Sequence, residues 1–481
     1  MNFALLNQAF RPHHSRMSAA QYDFDVIVIG GGSGGYAAAR TAAAKGLKAA
    51  VIDGAEELSG LCILRGCMPS KALLYAAEVK HLAEHGATWG LRIPEVSFDF
   101  PAVMARKAAM IKDFADYRVK QLQDGRFKLI RAYARFTDAH TVELSDGQKL
   151  TAKYFIISTG SIVAPPPLPE LKTIGYLTSD DILALKQLPK SVIVLGGGAI
   201  AVELAQFLVR FDVKVSLIQR SANIMSACDK DAAEVIETVF KKEGLTVYTD
   251  TKLKSAFSEN GQKGIEFEHD GKTVRVTAQE IFHALGRSPN TASLALDQAG
   301  VKTEKGRILT DAQQRTSTPH IFAAGDCCGP HEIVHIAIQQ GEIAVHNIVT
   351  PDKPRTMDYR LLISIIFTDP QVAMVGLTEK AAQARNIPYL AASYPFNDHG
   401  KSMIMEALHG FVKLLADPET GEIIGGSCVG PVGGELIHEI VAAMAKRMTV
   451  HELAAMPHYH PTLAEIWTYP AEELADQIVI R

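Results

Sequence analysis

Two segments of the chain repeat one pattern of hydrophobic and polar positions. Each begins with a short run rich in β-branched residues, passes through a glycine-rich loop and continues into a helix-forming stretch. A continuous apolar run of this kind is typical of a strand buried on both faces of a parallel sheet. The runs occupy residues 25–29 and 191–195. The sequence therefore predicts a duplicated α/β unit.

The first glycine-rich loop, residues 30–35, has the spacing G-x-G-x-x-G and opens a helix predicted over residues 36–45. In such a loop Gly30 permits a tight turn, and Gly32 lets the backbone approach a pyrophosphate. Gly35 lets the helix pack closely against the strand. The phosphate would lie at the amino end of the helix, where backbone N–H groups are free.

The second loop, residues 196–201, keeps Gly196 and Gly198 but has Ala201 at the third position. A single G-x-G-x-x-G loop is a weak signal. Two loops in the same strand, loop, helix and strand context predict two dinucleotide sites. A duplicated fold without ligands would not need small residues at all three positions of both loops.

The position that contacts the ribose differs between the two copies. Asp53 ends a strand predicted over residues 48–52 and lies 23 residues after Gly30, where a carboxylate can accept hydrogen bonds from a ribose. The second copy has Gln219 there, followed by Arg220. A guanidinium pairs well with a 2′-phosphate, which favours NADP at the second site. The alternative is that Arg220 is an ordinary solvated side chain, in which case NAD is also compatible with the second site.

Two cysteines five residues apart, Cys62 and Cys67, precede a predicted helix. On an ideal helix their α-carbons would be about 8 to 9 Å apart, and a disulfide tolerates about 7 Å. A distorted first turn, for which Gly66 and Pro69 are suited, would bring them together. A bridge of this kind is readily reduced, and the helix start favours the thiolate. Zinc binding would require a second cysteine or histidine cluster with suitable spacing, and none follows in the sequence. The remaining alternative is that both cysteines are free and structural.

Composition narrows the class of protein. The 481 residues are 47% hydrophobic and 21% charged, with a net charge of −4, as in a globular enzyme. No concentrated basic run or long apolar stretch indicates nucleic acid or a membrane as a partner. Six cysteines are too few for a secreted disulfide scaffold, so we expect a cytoplasmic location. If the acid-free extension, residues 1–20, is a transit peptide, the mitochondrial matrix is the alternative.

Taken together, the motifs resemble those of the flavoprotein pyridine nucleotide-disulfide oxidoreductases. That family includes dihydrolipoamide dehydrogenase, glutathione reductase and mercuric reductase. The resemblance extends from about residue 22 to the end of the chain. The motifs that carry it are residues 30–35, 62–71, 156–160, 196–203, 284–290, 321–326 and 458–465.

The resemblance implies an α/β fold with two Rossmann-like dinucleotide-binding domains, one for FAD and one for NAD or NADP. It also implies a C-terminal α+β domain through which two copies of the chain form a homodimer. The predicted segments are an N-terminal extension (1–20), the FAD domain (21–164), the NAD(P) domain (165–287), a central domain completing the FAD site (288–355) and the interface domain (356–481).

The resemblance also assigns roles to the redox residues. Cys67 would face the flavin, and Cys62 would exchange with the substrate. His460, oriented by Glu465 and contributed by the other subunit, would be the acid/base. A histidine suits this role because thiol exchange needs proton transfer near neutral pH.

Further residues are implied to hold the cofactors. Asp53 would bind the adenosine ribose of FAD, Asp326 its ribityl chain, and Lys71, paired with Glu203, would lie beside the flavin ring. No metal site is predicted. The remaining predicted cofactor contacts are Ser158, Thr159, Gly160, Gly286 and Arg287.

The sequence specifies the class of enzyme more closely than it specifies the substrate. Ser70 matches the dihydrolipoamide and mercuric reductase form of the redox segment, and Glu342 stands where glutathione reductases have an arginine for the substrate. The closing residues, 477–481, lack the cysteine pair of mercuric reductases. Dihydrolipoamide is the leading substrate, and membership of a multienzyme complex is open. The alternatives are an NADPH-dependent reductase of another small disulfide, and a non-catalytic redox-sensing subunit. The adjacent Cys327 and Cys328 are expected to be buried near the flavin.

Overall fold

A computed structural model describes residues 22–478 of the chain. The predicted extension, residues 1–20, lies outside the described residues, and so does the choice between cytoplasm and mitochondrial matrix that depends on it. Among the described residues, no helix is both long enough and apolar enough to cross a membrane.

Residues 22–478 contain 23 strands, which we number in chain order. Strands β1 to β23 are Phe24–Ile29, Ala49–Ile52, Lys128–Ile130, Ala134–Asp138, Thr141–Leu144, Lys149–Ile157, Ser161–Val163, Ser191–Leu195, Lys214–Ile218, Thr246–Tyr248, Lys252–Glu259, Gln262–His269, Lys272–Ala278, Glu280–His283, Arg287–Pro289, Thr303–Glu304, Arg307–Ile308, Ile321–Ala323, Ile363–Ile366, Gln371–Gly376, Leu390–Pro395, Phe411–Ala416 and Ile423–Gly430.

The same residues form 14 α-helices and six short 3₁₀ helices. Helices α1 to α14 are Ser33–Ala44, Leu61–Arg65, Cys67–Glu84, Phe100–Leu122, Leu171–Ile174, Ser179–Ile182, Ala199–Arg210, Lys230–Lys242, Val334–Val349, Glu379–Ala384, Gly400–Ile404, Gly433–Ala445, Val450–Ala455 and Thr468–Gln477. The 3₁₀ helices are Gly86–Trp89, Ala292–Leu294, Leu296–Ala299, Tyr359–Leu361, Phe396–Asp398 and Ala464–Trp467.

Two parallel sheets confirm the predicted duplication. In the first, β3, β2, β1, β6 and β18 lie side by side, and in the second the order is β10, β9, β8 and β14. The opening strands β1 and β8 therefore occupy the third place in the order of both sheets. Their residues are almost fully buried, as their uninterrupted apolar character predicts.

Strand β6 links the first parallel sheet to an antiparallel meander. Its first half pairs with β5, and its second half pairs with β1 on one side and β18 on the other. The carboxyl ends of β1, β6 and β18 therefore meet at one edge of the sheet, beyond Ile29, Ile157 and Ala323. Ligands of open α/β sheets bind at such an edge.

Neighbouring backbone lies so close to the first glycine loop that two of its positions must be glycine. Gly30 has a φ of 103°, and a Cβ placed there would lie 2.2 Å from the carbonyl oxygen of Ser158. A Cβ on Gly35 would lie 1.9 Å from the carbonyl oxygen of Gly30. Both are far below any real contact, so this turn admits only glycine at these two positions.

The remaining described strands form smaller sheets around the duplicated units. Strands β11, β12 and β13 form an antiparallel sheet beside the second parallel sheet. Strands β19, β20, β23, β22 and β21 form an antiparallel sheet near the C-terminus. Helix α12 packs on β20 and β23, and α14 packs on β21. Trp467, fully buried, lies in the core between this sheet and its helices.

The predicted α/β class is thereby confirmed, with a C-terminal α+β unit, while the domain boundaries stay predictions. The helix predicted over residues 36–45 begins earlier, at Ser33, because Gly34 and Gly35 already have helical backbone. Flexible glycines obscured that start in the sequence.

Substitution of Gly35 by alanine is expected to destabilise the first unit by about 3 kcal/mol, which lowers its melting temperature by roughly 6 to 12 °C. The added methyl group would collide with the backbone of Gly30. Gly198→Ala is the matched control, because a Cβ there meets no atom within 4 Å. Thermal unfolding of both variants checks this, and equal melting temperatures would contradict it.

Candidate active site

A cavity of about 1320 Å³ opens at the edge where the strands of the first parallel sheet end. It extends to the second glycine loop and to the C-terminal sheet. The predicted site residues that line it are Gly30, Gly32, Asp53, Cys62, Cys67, Lys71, Ser158, Thr159, Gly160, Gly198, Glu203, Gly286, Arg287 and Asp326.

The cysteine pair lies at a break between two helices on the wall of this cavity. Cys62 belongs to the short helix α2, and Cys67 is the first residue of α3. Gly66 separates them with φ −137° and ψ −115°, and a Cβ on it would lie 3.2 Å from the α-carbon of Cys62. The predicted distorted turn is therefore present. Both cysteines are free thiols and half-buried.

The two thiols are chemically unequal. The pKa of Cys67 is lowered to about 7, mainly because Cys62 donates a hydrogen bond to its sulfur and secondly because the Lys71 ammonium is near. The pKa of Cys62 is raised, since giving up its proton would break that bond and place a second negative charge beside the first. Above about pH 7 the reduced pair therefore holds a thiolate at Cys67 and a thiol at Cys62.

Lys71 is fixed next to the cysteines by a buried carboxylate. Its Nζ lies 2.7 Å from Glu203 Oε2 and 4.5 Å from the centre of the Phe367 ring. Glu203, on α7, is almost fully buried, and its other oxygen accepts a hydrogen bond of 2.9 Å from the backbone N–H of Phe367. This ion pair joins α3 to α7 and fixes a cation at the cavity wall.

Asp53 and the first loop form the inner end of the cavity. One carboxylate oxygen of Asp53 accepts a hydrogen bond of 2.8 Å from the Gly31 N–H, and the other accepts one of 2.9 Å from the Ala55 N–H. These bonds hold the carboxylate at the end of β2, at the mouth of the loop. Each oxygen keeps a lone pair with which a ribose hydroxyl can bond.

Asp326 and Arg287 meet through Ser161. The Ser161 hydroxyl donates to Asp326 Oδ2 at 2.7 Å, and Arg287 donates to the hydroxyl and carbonyl oxygens of Ser161, both at 2.8 Å. Ser158, which lines the same wall, follows the end of β6.

The shape and chemistry of this region fit FAD. The glycine cradle admits no side chain, the carboxylates of Asp53 and Asp326 line the cavity, and Lys71 lies beside the cysteine pair. The residues that would hold the cofactor are the first loop, Asp53, Lys71 and Asp326.

The second loop opens onto the same cavity. Gly198, Ala199 and Ile200, at the start of α7, line it, and so does Gly286. Gln219 and Arg220 lie outside the cavity lining, at the end of β9, and Arg220 is exposed. Of the other predicted contacts, Gly35, Gly196 and Ala201 lie behind the loops: a Cβ on Gly196 would lie 2.5 Å from the carbonyl oxygen of Ala284, and Ala201 is buried.

His460 and Glu465 form the predicted pair, away from the cavity. His460 Nδ1 lies 3.0 Å from Glu465 Oε2 and 3.2 Å from Oε1. The His460 side chain is 78% exposed, whereas that of Glu465 is 11% exposed. Neither residue is among those that line the cavity, so one chain does not bring them to its own cysteines.

A residue that no sequence motif singled out completes this pair. His399, fully buried at the start of α11, places Nε2 3.4 Å from Glu465 Oε1. It lies 66 residues before Glu465. A histidine in a segment without periodicity gives no signal of such a contact.

The other four cysteines are buried. Cys327 and Cys328 lie in the core of the first unit, where the Cys327 thiol donates to the carbonyl oxygens of Ile157 and Ala324 and the Cys328 thiol donates to that of Gly325. Burial raises the pKa of Cys228 to about 12 and that of Cys428 well above its usual range. Among residues 22–478, no group of three or more His, Cys, Asp or Glu side chains is arranged to hold a metal ion.

Replacement of Cys62 by alanine is expected to raise the pKa of Cys67 by about one unit, towards the ordinary 8.5 of a thiol. The hydrogen bond that stabilises the Cys67 thiolate is lost, and the thiol form persists to higher pH. The pH midpoint of iodoacetamide alkylation of the reduced protein measures this. Cys62→Ser, whose hydroxyl still donates, is the matched control and should stay closer to 7. Equal midpoints for the two variants would contradict the assignment.

Comparison with known proteins places this arrangement in a family. Residues 24–341 match Pyridine nucleotide-disulphide oxidoreductase, and residues 363–471 match the dimerisation domain of the same family. The chain is 35% identical to the dihydrolipoyl dehydrogenase of Geobacillus stearothermophilus over 93% of its own length and 95% of that protein. It is also 35% identical to the dihydrolipoyl dehydrogenase of Thermus scotoductus, over 95% and 98% of the two chains.

A solved structure shares the fold. The HOCl-induced flavoprotein disulfide reductase RclA from Escherichia coli superposes with a TM-score of 0.83 at 24% identity, over 94% of this chain and 99% of that one. Family matches over most of the chain, and relatives above 30% identity over nearly its full length, agree with the geometry of the site. The chain therefore belongs to the pyridine nucleotide-disulphide oxidoreductase family, and it is an FAD-dependent enzyme that moves electrons between a nicotinamide dinucleotide and a disulfide.

Proposed function

We propose that the chain is a dihydrolipoamide dehydrogenase whose redox centre is Cys62 and Cys67. The observation that carries the proposal is the unequal cysteine pair on the cavity wall, where Cys67 is poised as a thiolate beside the Lys71 ammonium. FAD, when bound, supplies the two-electron relay between the dithiol and the nicotinamide.

Oxidation of dihydrolipoamide takes two successive thiol–disulfide exchanges. A thiolate of dihydrolipoamide attacks Cys62 of the oxidised pair, and the bond between the two enzyme sulfurs breaks, which releases Cys67 as a thiolate. The second substrate thiol, deprotonated by His460, attacks the substrate sulfur of the mixed disulfide. Oxidised lipoamide leaves with a new disulfide bond, and Cys62 departs as a thiolate that takes the proton from His460 and becomes a thiol. Two electrons now reside on the enzyme pair, and they pass to NAD⁺ or NADP⁺.

The residues around the pair support the direction of each step. A leaving thiolate departs faster when its pKa is low, and the pKa of Cys67 is the lowered one of the two. The Lys71 ammonium stabilises that thiolate. Cys62 keeps its proton in the reduced state, so it is protected from reacting before the next turnover.

Two observations support dihydrolipoamide over glutathione. The relatives above 30% identity described above are dihydrolipoyl dehydrogenases. Glu342, which would meet a glutathione carboxylate with the wrong charge, forms an ion pair with Arg40. Because Arg40 is paired with Glu342, its guanidinium is not free to bind a glutathione carboxylate. An NADPH-dependent reductase of another small disulfide is the alternative.

A homodimer with shared sites follows from the position of His460. Its imidazole is exposed and does not line the cavity of its own chain, yet the exchange needs a proton acceptor at Cys62. The matching dimerisation domain contains His460. A two-fold dimer is self-complementary, so each chain would complete the site of the other. We therefore propose that His460 and Glu465 act on the cysteines of the partner subunit.

Nicotinamide preference depends on the end of β9. Arg220 is exposed and has no ion-pair partner among the described residues, so it is available to a 2′-phosphate. Gln219, whose amide oxygen accepts from the Arg220 N–H, offers a neutral contact to a ribose. We propose that both NAD and NADP fit, with selectivity set by Arg220.

Turnover with dihydrolipoamide is expected to exceed turnover with glutathione, other thiol disulfides and mercuric ion by at least tenfold. Steady-state assays of these substrates, each with both nicotinamides, measure this. Cys67→Ser should lower dihydrolipoamide turnover at least about a thousandfold, because without the second sulfur the enzyme disulfide that accepts the electrons cannot form. Reduction of ferricyanide by NADH, which bypasses the cysteines, should be retained as the control.

Other outcomes would redirect the proposal. A preference for another disulfide would keep the redox centre and replace the substrate. Full dihydrolipoamide turnover by Cys67→Ser would contradict the redox centre itself. A purified protein that turns over none of these compounds would favour a non-catalytic redox subunit.

Mixed dimers test the shared site. Cys62→Ser and His460→Gln should each be nearly inactive alone, but equal co-expression should restore about 25% of activity. Half of the dimers are then hybrids with one intact site of two. Differently tagged chains and two-step affinity purification isolate the hybrids for assay. Continued inactivity of the hybrids would contradict a site shared between chains.

A further inference from the structure

Glu465 lies between two imidazole rings. Its carboxylate approaches His460 Nδ1 at 3.0 and 3.2 Å, and its Oε1 lies 3.4 Å from His399 Nε2. Among the described residues these two histidines are the partners of the carboxylate. The acid/base pair of the proposed function is therefore a three-residue arrangement, two of whose members are buried.

The two histidines differ in environment. The His460 side chain is 78% exposed, as expected of a group that must reach a substrate, whereas that of His399 is fully buried. Burial lowers the pKa of His399, so its ring is neutral at neutral pH. A buried neutral imidazole cannot act on a substrate directly. It can only act through what it touches.

The contacts of His399 select one tautomer. Its Nδ1 lies 2.8 Å from the Ser402 hydroxyl, which is also fully buried and can donate to it. Its Nε2 is buried and lies 3.4 Å from Glu465 Oε1, but this contact does not meet hydrogen-bond geometry, and Nε2 has no hydrogen-bond partner among the described residues. If Nε2 lacked its proton, two lone pairs would face each other. The proton therefore lies on Nε2, directed at Glu465.

A second donor restricts how the carboxylate can turn. The terminal torsion of a glutamate is broad, so a carboxylate held by one exposed histidine samples many orientations. The His399 ring is held in place by Ser402 and contacts the rings of Phe396 and Tyr469 edge-on. A donor on so rigid a support fixes one oxygen and leaves the other for His460.

We propose that His399 is a positioning residue for the acid/base pair: it anchors Glu465 so that the carboxylate stays directed at His460. The inference rests on the proposed roles of His460 and Glu465. At 3.4 Å the contact is long for a hydrogen bond in this arrangement. It would tighten when His460 takes up a proton in the exchange step, as catalytic contacts do during turnover.

A matched pair of substitutions tests the contact. Asparagine places its amide nitrogen near the position of Nδ1 and cannot reach Glu465, whereas glutamine places it near Nε2 and still donates. His399→Asn is expected to lower kcat for dihydrolipoamide about tenfold, the lower end of the loss when an orienting partner is removed, with KM within twofold. His399→Gln should restore kcat to within about threefold of the unmodified protein.

Controls separate positioning from folding. Bound flavin and ferricyanide reduction by NADH should be unchanged in both variants, because neither depends on thiol exchange. If His399→Asn loses its flavin, Ser402→Ala carries the test, with an expected fall in kcat of about threefold. Unmodified kcat in whichever variant retains flavin would overturn the inference, and so would equal losses in His399→Asn and His399→Gln.

His460→Gln, measured beside them, separates the positioning role of His399 from the acid/base role of His460. A large loss in His460→Gln with full activity in His399→Asn would reject the positioning role alone. Full activity in His460→Gln would reject the proposed acid/base, and with it the proposal for His399. If dihydrolipoamide is not turned over by the unmodified protein, the same variants are compared with the fastest disulfide of the substrate panel.

Discussion

The buried carboxylate of Glu203 fixes the position of the cysteine helix relative to the C-terminal half of the chain. One of its oxygens binds the Lys71 ammonium on the redox helix, and the other binds the backbone N–H of Phe367 in the C-terminal half of the chain. Glu203 itself belongs to the helix that follows the second glycine loop. One side chain thus connects the cysteine helix, the helix after the second glycine loop and the connection between β19 and β20 of the C-terminal sheet.

The same helix repeats this connection along its length. Gln206 bonds both the N–H and the carbonyl of Asp369, each at 2.8 Å, and Arg210 binds the Asp369 carboxylate at 2.8 Å as well as Glu243 at 2.6 Å. These side chains share one face of the helix, being three and four residues apart. A buried charge is costly unless every polar atom is satisfied, and here the charges are paired. The arrangement favours a single relative placement of the parts, which an apolar contact would specify less strictly.

The sequence predicted those features that depend on neighbouring residues. The glycine loops, the strands before them and the break at Gly66 follow from local backbone requirements, which are written in consecutive residues. The class of enzyme followed from motifs that combine such local features. Contacts between distant segments could not be read in the same way. Gln206 and Asp369 lie 163 residues apart, and His399 lies in a segment without a recognisable pattern. Their partners are fixed by the packing of whole sheets and helices.

Burial of four of the six cysteines has a consequence for how the protein meets oxidants. An electrophile or oxidant that reaches the chain finds accessible thiols only at Cys62 and Cys67, because the other four thiols are buried. Oxidation of that pair gives a disulfide, which is the state that the proposed function has the enzyme pass through in each cycle. Neighbouring thiols also trap a sulfenic acid as a disulfide before it can be oxidised further. Under the proposed function, the accessible thiols are thus the ones whose disulfide the nicotinamide can reduce again.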